Sequence, residues 1–325
     1  MLAYAGITAA HYGLFIAAVV FFLALDLGLF NRKAHKIGFR EAIGWTTLWF
    51  SLAMAFAFFF LPAELDAGIE KHPRMAFITG YILELSLSMD NVFVIALIFT
   101  YFRVELKYQH RVLFWGILGA IIMRGLMIGV GAVAVAQWGW ILYLFGAFLL
   151  FTGIKMLFAG DDEGVEPERN ILVRIARRFF PVHDQYSEDH FVILHEGRRL
   201  LTPMAIVLIT VESTDVVFAV DSIPAIFSVT TDPFIVFTSN MFAILGLRSL
   251  YFVLAGAIEY FHYLQYGLAL VLAFIGAKML GEHWLEQRFG EIPHWMPLAI
   301  VGGIILVSII ASIIRKLCGK GNESG

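Results

Sequence analysis

With one cysteine among 325 residues, Cys318, the chain can build no internal disulfide framework and no thiolate metal cluster. Charge is equally scarce: Asp, Glu, Lys and Arg make up 15% of the sequence, against about 25% in ordinary soluble domains. That shortage excludes a soluble globular protein. No G-x-x-x-x-G-K-[ST] segment is present, so the chain carries no phosphate cradle for ATP-driven pumping. The H-E-x-x-H and G-x-S-x-G patterns are absent too, and no enzyme activity is expected. The small net charge of −3 gives no ground for nucleic-acid binding. The first residues lack the basic start and small-residue cleavage site of a signal peptide, so the first apolar run is expected to be retained.

Apolar residues are what the chain has in abundance, at 60%, with 31 phenylalanines. They fall into runs long enough to cross a bilayer. An all-α membrane protein of about nine transmembrane helices is predicted, with spans near 8–30, 43–62, 76–101, 112–136, 138–158, 203–229, 233–256, 263–281 and 296–314. Alternate connections carry 16 of the 23 Lys and Arg residues, including Arg32, Lys33, Arg103, Arg111, Arg177, Arg178 and Arg315. The opposite connections hold only Lys71, Arg74 and Arg288. Because cytoplasmic loops are the basic ones, the N-terminus is expected outside and the C-terminus in the cytoplasm. The histidines, including His110, His183, His190, His195 and His283, are expected to be polar loop residues.

Spans three to five can be laid over spans six to eight. D-N-V-F-V at 90–94 matches D-V-V-F-A at 215–219, M-R-G-L at 123–126 matches L-R-S-L at 247–250, and G-I-K-M-L at 153–157 matches G-A-K-M-L at 276–280, with offsets of 125, 124 and 123. Three spans and a cytoplasmic linker between the copies invert the second relative to the first. Inverted repeats are a recurrent basis of secondary transporters, with substrate bound at the midplane between halves. The expected divisions are an N-terminal segment 1–75, a first repeat 76–158, a linker 159–202, a second repeat 203–281 and a last helix with its tail, 282–325.

Acids interrupt the apolar spans. Asp26 lies in the first, Glu84, Asp90 and Asn91 in the third, and Glu212, Asp215 and Asp221 in the sixth. An acid at the bilayer centre costs roughly 3 kcal/mol to insert, so six need compensation. Glu84, Ser88 and Asn91 follow i, i+4, i+7 and share one face; Glu212 and Asp215 are i, i+3 neighbours. Pro224 removes the bond to the Val220 carbonyl and is expected to kink the sixth span beside Asp221. Ion pairing with Arg124 and Arg248 would account for two charges and leave most acids over. Carboxylate, amide, hydroxyl and backbone oxygens without Cys or His make a hard donor set, suited to Mn²⁺, Mg²⁺ or Ca²⁺. One shared midplane site is expected, with metal exchanged for protons.

L-D-L-G-L-F-N-R-K-A-H at 25–35, E-L-S-L-S-M-D-N-V-F-V at 84–94 and E-S-T-D-V-V-F-A-V-D-S-I-P-A at 212–225 resemble the TerC/Alx family of bacterial membrane proteins, its Alx-like branch above all. The resemblance covers nearly the whole chain. It implies efflux of Mn²⁺ across the bacterial inner membrane, with Asp26, Glu84, Asp90, Glu212, Asp215 and Asp221 as ligands or proton carriers. No permanently bound cofactor is implied; the metal is cargo. The tellurium resistance in the family's name would be indirect, because an acidic cavity repels an oxyanion. The rival expectation is a membrane scaffold or stress-response protein whose acids are structural ion pairs. A homo-oligomer and protein partners at the cytoplasmic linker are compatible with both.

Overall fold

The structure, a computed structural model, describes residues 9–25, 38–61, 72–158, 173–175, 178, 190–195, 198–255, 263–289 and 295–320. Its elements are α1 (Ala9–Leu25), α2 (Phe39–Phe59), α3 (Pro73–Tyr101), α4 (Leu106–Gln137), α5 (Ile141–Phe158), β1 (Val192–His195), β2 (Arg198–Leu201), α6 (Pro203–Phe227), α7 (Pro233–Ala255), α8 (Leu264–Phe289) and α9 (Trp295–Lys320). Eight of these helices, α2 to α9, are long and apolar enough to cross a membrane; α1 contributes a shorter apolar stretch, Ala10–Ala24. The chain is an all-α membrane protein.

Two helix starts, those of α6 and α7, have a clear local cause. Thr202 and Asp232 each precede a proline, which fits the first helical turn because its missing N–H would be unsatisfied there anyway. Thr202 Oγ1 accepts from Ala205 N at 3.4 Å and donates to the His190 carbonyl at 2.6 Å. Asp232 Oδ1 accepts from Phe234 N at 2.9 Å and Ile235 N at 3.3 Å, capping α7. At the C-terminal end of α2, Arg74 gives hydrogen bonds to the carbonyls of Ala57 and Phe58 in the last turn and of Leu61 just beyond it.

Two elements depart from expectation. A short antiparallel hairpin, β1 with β2, occupies the end of the linker, pairing Val192 with Leu201 and His195 with Arg198. Helix α4 begins six residues before the apolar run predicted for it, because its polar first turns find partners: Gln109 Nε2 donates to the Val104 carbonyl at 3.1 Å, and Tyr251 Oη donates to Gln109 Oε1 at 2.9 Å. His110 is therefore buried in a helix, not placed in a loop. His283 lies within α8 and His195 in β1. The expected kink at Pro224 does not interrupt α6, which runs through it to Phe227.

Helix α7 is the most enclosed, with 89% of its span buried, and α9 the most peripheral, with 11%. Around α7, rings from four helices interlock: Tyr12 and Phe15 of α1, Phe56 of α2 and Phe77 of α3 meet Phe234 or Phe242. Helices α3 and α7 run parallel, since Gly80 lies against Ser239 and Phe99 against Tyr251. Helices α4 and α6 do likewise, with Gly116 against Val211 and Gly131 against Phe227. Gly80 also touches Ile226, while Ile95 and Phe99 share a cluster with Met204 and Val207, so α3 and α6 are antiparallel.

Helices α5 and α8 cross at glycines. A Cβ on Gly153 would stand 2.7 Å from the Ala269 carbonyl oxygen, and one on Gly276 would stand 2.6 Å from that of Gly146. Such contact requires small residues, the usual means by which helices approach closely in lipid. The offset of 123 that carries Gly153 onto Gly276 also carries Gly146 onto Ala269 and Leu150 onto Ala273, so the two sets of contacts interchange. A two-fold axis between the units would produce this exchange. Replacing Gly153 with valine is expected to cost about 1–3 kcal/mol by overpacking, whereas Gly13→Val, which meets nothing within 4 Å, serves as the neutral control. Thermal unfolding in detergent checks both.

Candidate functional site

At the centre of the bundle lies an ion-paired arginine. Arg124 projects from α4 with no exposed side-chain surface. Its Nη2 donates to Asp215 Oδ1 of α6 at 2.8 Å and its Nε to Asp215 Oδ2 at 3.2 Å, the two-pronged grip that suits guanidinium and carboxylate. Its Nη1 donates to Glu84 Oε1 of α3, which is likewise fully buried. Ser222 Oγ stands 3.5 Å from the same nitrogen. One cation thus ties three helices and offsets two acids.

The second oxygen of Glu84 receives a hydrogen bond at 3.0 Å from Asn240 Nδ2 of α7. Asn240 is fully buried, and its Oδ1 has no hydrogen-bond partner among the described residues. The expected stripe on α3 is present: Ser88 Oγ lies 3.5 Å from Glu84 Oε1, and Asn91 is buried further along that face. Sequence reasoning missed Asn240. Its only signal was a lone amide in the apolar run F-T-S-N-M-F-A at 237–243, on a span without acids.

The other acids stand apart from this cluster. Asp90 is part-exposed on α3, off the Glu84 stripe as its spacing requires, and has no hydrogen-bond or ion-pair partner among the described residues. Glu212 is part-exposed on α6, beside Asp215, and its carboxylate presses on the backbone of α4 at Gly119, where a Cβ would collide with it. The carboxylate occupies the volume that a side chain at 119 would take. Asp221 is part-exposed and hydrogen-bonded by Thr152 of α5. Asp26 lies outside the described residues.

The expectation of one site gathering all the acids is therefore corrected. Among the described residues, no three carboxylates, imidazoles or thiols are grouped to hold an ion. Arg124 is the physical reason: it draws Glu84 and Asp215 onto itself, leaving Asp90, Glu212 and Asp221 as part-exposed acids in apolar helices. Lys278 donates to the Ser228 carbonyl at the end of α6 at 3.1 Å and pairs with Glu282 at 3.0 Å.

Removing Arg124 would leave two buried carboxylates without their cation. Arg124→Gln is expected to destabilise the fold by roughly 3–5 kcal/mol, the usual cost of breaking a buried pair. The triple variant Arg124→Gln, Glu84→Gln, Asp215→Asn removes the charges together and should recover much of the loss. Thermal unfolding of the two variants in the same detergent compares them.

The profile of the Integral membrane protein TerC family matches residues 69–319. A membrane protein of Myxococcus xanthus, STKORF319, described as uncharacterised, is 48% identical over 302 residues, covering 93% of this chain and 91% of its own. Escherichia coli K12 Alx, named a proposed membrane-bound redox modulator, is 46% identical over 303 residues, covering 92% of each chain. A Rickettsia felis membrane protein described as uncharacterised is 38% identical over 303 residues, covering 93% of this chain and 97% of its own. No solved structure matches the chain. A match over most of the sequence makes this chain a multi-pass member of the TerC family of integral membrane proteins.

Proposed function

We propose that the protein is a secondary transporter that exports a divalent cation, Mn²⁺ in the first place, across the bacterial inner membrane. The observation that carries this proposal is the set of three part-exposed acids, Asp90, Glu212 and Asp221, which Arg124 does not neutralise. Carboxylates in apolar helices are costly unless a cation visits them. Their neighbours supply further hard donors: Thr152 beside Asp221, Asn91 one residue from Asp90, and the free oxygen of Asn240 beside Glu84. Oxygen donors of this kind suit Mn²⁺, Mg²⁺ and Ca²⁺. The choice of manganese and the outward direction rest on family resemblance, and the basic loops support an outside N-terminus and a cytoplasmic C-terminus.

Opposite orientation of α3 and α6 supports alternating access, in which one three-helix unit moves against the other around the site. Protons are the natural exchange ion. Acids that have given up a cation must be neutralised before they can cross an apolar constriction, and proton uptake does this without further ligands.

The Glu84–Arg124–Asp215 pairing favours a second possibility, a stress-response or scaffold protein whose acids are structural. The redox modulation in the name of the Alx relatives belongs beside it, but thiol–disulfide chemistry has only Cys318 to draw on here.

The test is manganese content and tolerance in cells lacking their other exporters. Asp90→Asn, Glu212→Gln and Asp221→Asn should each reduce efflux by more than about tenfold, the loss expected when a ligand worth about 1.4 kcal/mol or more is removed. Each should remain inserted and folded. Wild-type metal content in all three variants would falsify transport through these acids and leave the structural role standing. Efflux from proteoliposomes with a pH-sensitive dye inside checks the coupling: manganese leaving without proton counterflow would exclude exchange.

A further inference from the structure

The β1–β2 hairpin is tied to the point where a membrane span begins. Strand β2 runs into Thr202, whose backbone N–H donates to the Phe191 carbonyl at 3.0 Å and whose side chain caps α6. Phe191, the residue before β1, packs in one cluster with Phe102, Tyr108 and Met204, which puts the base of the hairpin level with the turn between α3 and α4. The guanidinium carbon of Arg111 stands 5.5 Å from the centre of the Phe191 ring. Val192 and Leu194 alternate along β1 and so share a face. They are 49% and 74% exposed, whereas Phe191 and Ile193, on the other face, are part-buried.

Depth and charge both identify what covers that exposed face. The apolar span of α6 begins at Pro203, and Val192 pairs with Leu201, two residues before it. Leu194 lies two residues further along β1, about 7 Å away. The headgroup zone of one leaflet is about 5–7 Å deep. Both side chains therefore stand at headgroup depth. The surrounding chain is basic: Arg103, Lys107 and Arg111 lie in or beside the α3–α4 turn, and Arg198 and Arg199 open β2. Glu105, the acid of that turn, is paired with Lys107 at 2.9 Å.

We propose that the hairpin docks on anionic lipid: Val192 and Leu194 enter the boundary between headgroups and acyl chains on the linker side, and the basic residues at this end meet the headgroup phosphates. An apolar face beside a group of cations is the combination that holds a segment in the surface of a charged leaflet. The bundle covers one face of the ribbon through Phe191, and lipid covers the other. Because Thr202 both follows β2 and caps α6, lipid that holds the hairpin also fixes the start of the helix that bears Glu212 and Asp215. The inference stands apart from transport, since no metal need move for it to hold.

The test uses the full chain carrying Cys318→Ser and Leu194→Cys, labelled with a polarity-sensitive fluorophore and reconstituted in nanodiscs of phosphatidylcholine alone or mixed with phosphatidylglycerol. Emission is quenched either by lipid spin-labelled near the headgroup or by acrylamide in the water. In the anionic nanodiscs the lipid quencher should act at least about twofold more strongly than in the zwitterionic ones, with acrylamide protection to match. Raising the salt, or the double variant Arg198→Gln, Arg199→Gln, should remove that difference, because both weaken attraction to the phosphates. Val192→Cys, labelled in place of Leu194→Cys, should give the same pattern and guards against a local effect of one substitution. Quenching by acrylamide alone would place the hairpin in water and overturn the docking. Protection from both quenchers would show that protein covers this face, and overturns it equally. Lipid quenching that is the same with and without phosphatidylglycerol overturns the choice of anionic lipid as the occupant.

Discussion

The buried pairing of Arg124 with Glu84 and Asp215 is the constraint around which the membrane core is arranged. A guanidinium with no exposed surface, in a bundle that lipid surrounds, must have carboxylates within reach. Those carboxylates come from two other helices, so α3, α4 and α6 are held at fixed relative depth and rotation. Asn240 adds α7 to the same set through the second oxygen of Glu84. Apolar packing brings membrane helices together, but it specifies their register weakly. A forked hydrogen bond specifies it well.

Close packing elsewhere follows from side-chain size. Where α5 crosses α8, glycines at 146, 153 and 276 let the backbones nearly touch, and no polar group is needed. Around α7, phenylalanine and tyrosine rings fill the space between four helices. Glu212 uses the same device as the glycine crossing for a different end: Gly119 lacks a side chain, and the carboxylate occupies that volume. A packed frame thus surrounds a few polar groups, of which Asp90 has no hydrogen-bond or ion-pair partner among the described residues.

The helices were legible in the sequence because hydrophobic runs of bilayer length leave few alternatives. Boundaries were less so where polar residues find partners: the first turns of α4 read as loop, yet Gln109 bonds both to the Val104 carbonyl and to Tyr251. The hairpin at 192–201 was missed because a long apolar-helix pattern dominates the chain and the linker's two short runs are only four residues each. Internal correspondence between the two units was readable, since D-x-V-F and G-x-K-M-L recur at nearly constant spacing. The opposite orientation of α3 and α6 agrees with it.

By itself the sequence determined that this is a membrane protein, where its helices lie, which family it belongs to and which acids are costly enough to need an explanation. Composition and hydropathy carry the membrane class and the helices locally, residue by residue, and the motifs at 25–35, 84–94 and 212–225 carry the family. Which acids share a cation and which stand open was decided only by tertiary structure. Glu84, Asp90 and Asp215 look alike in sequence, each an acid in an apolar helix. Their difference comes from distance to one arginine 40 residues from the first and 91 from the last, and a three-dimensional proximity of that kind has no signature in a one-dimensional pattern.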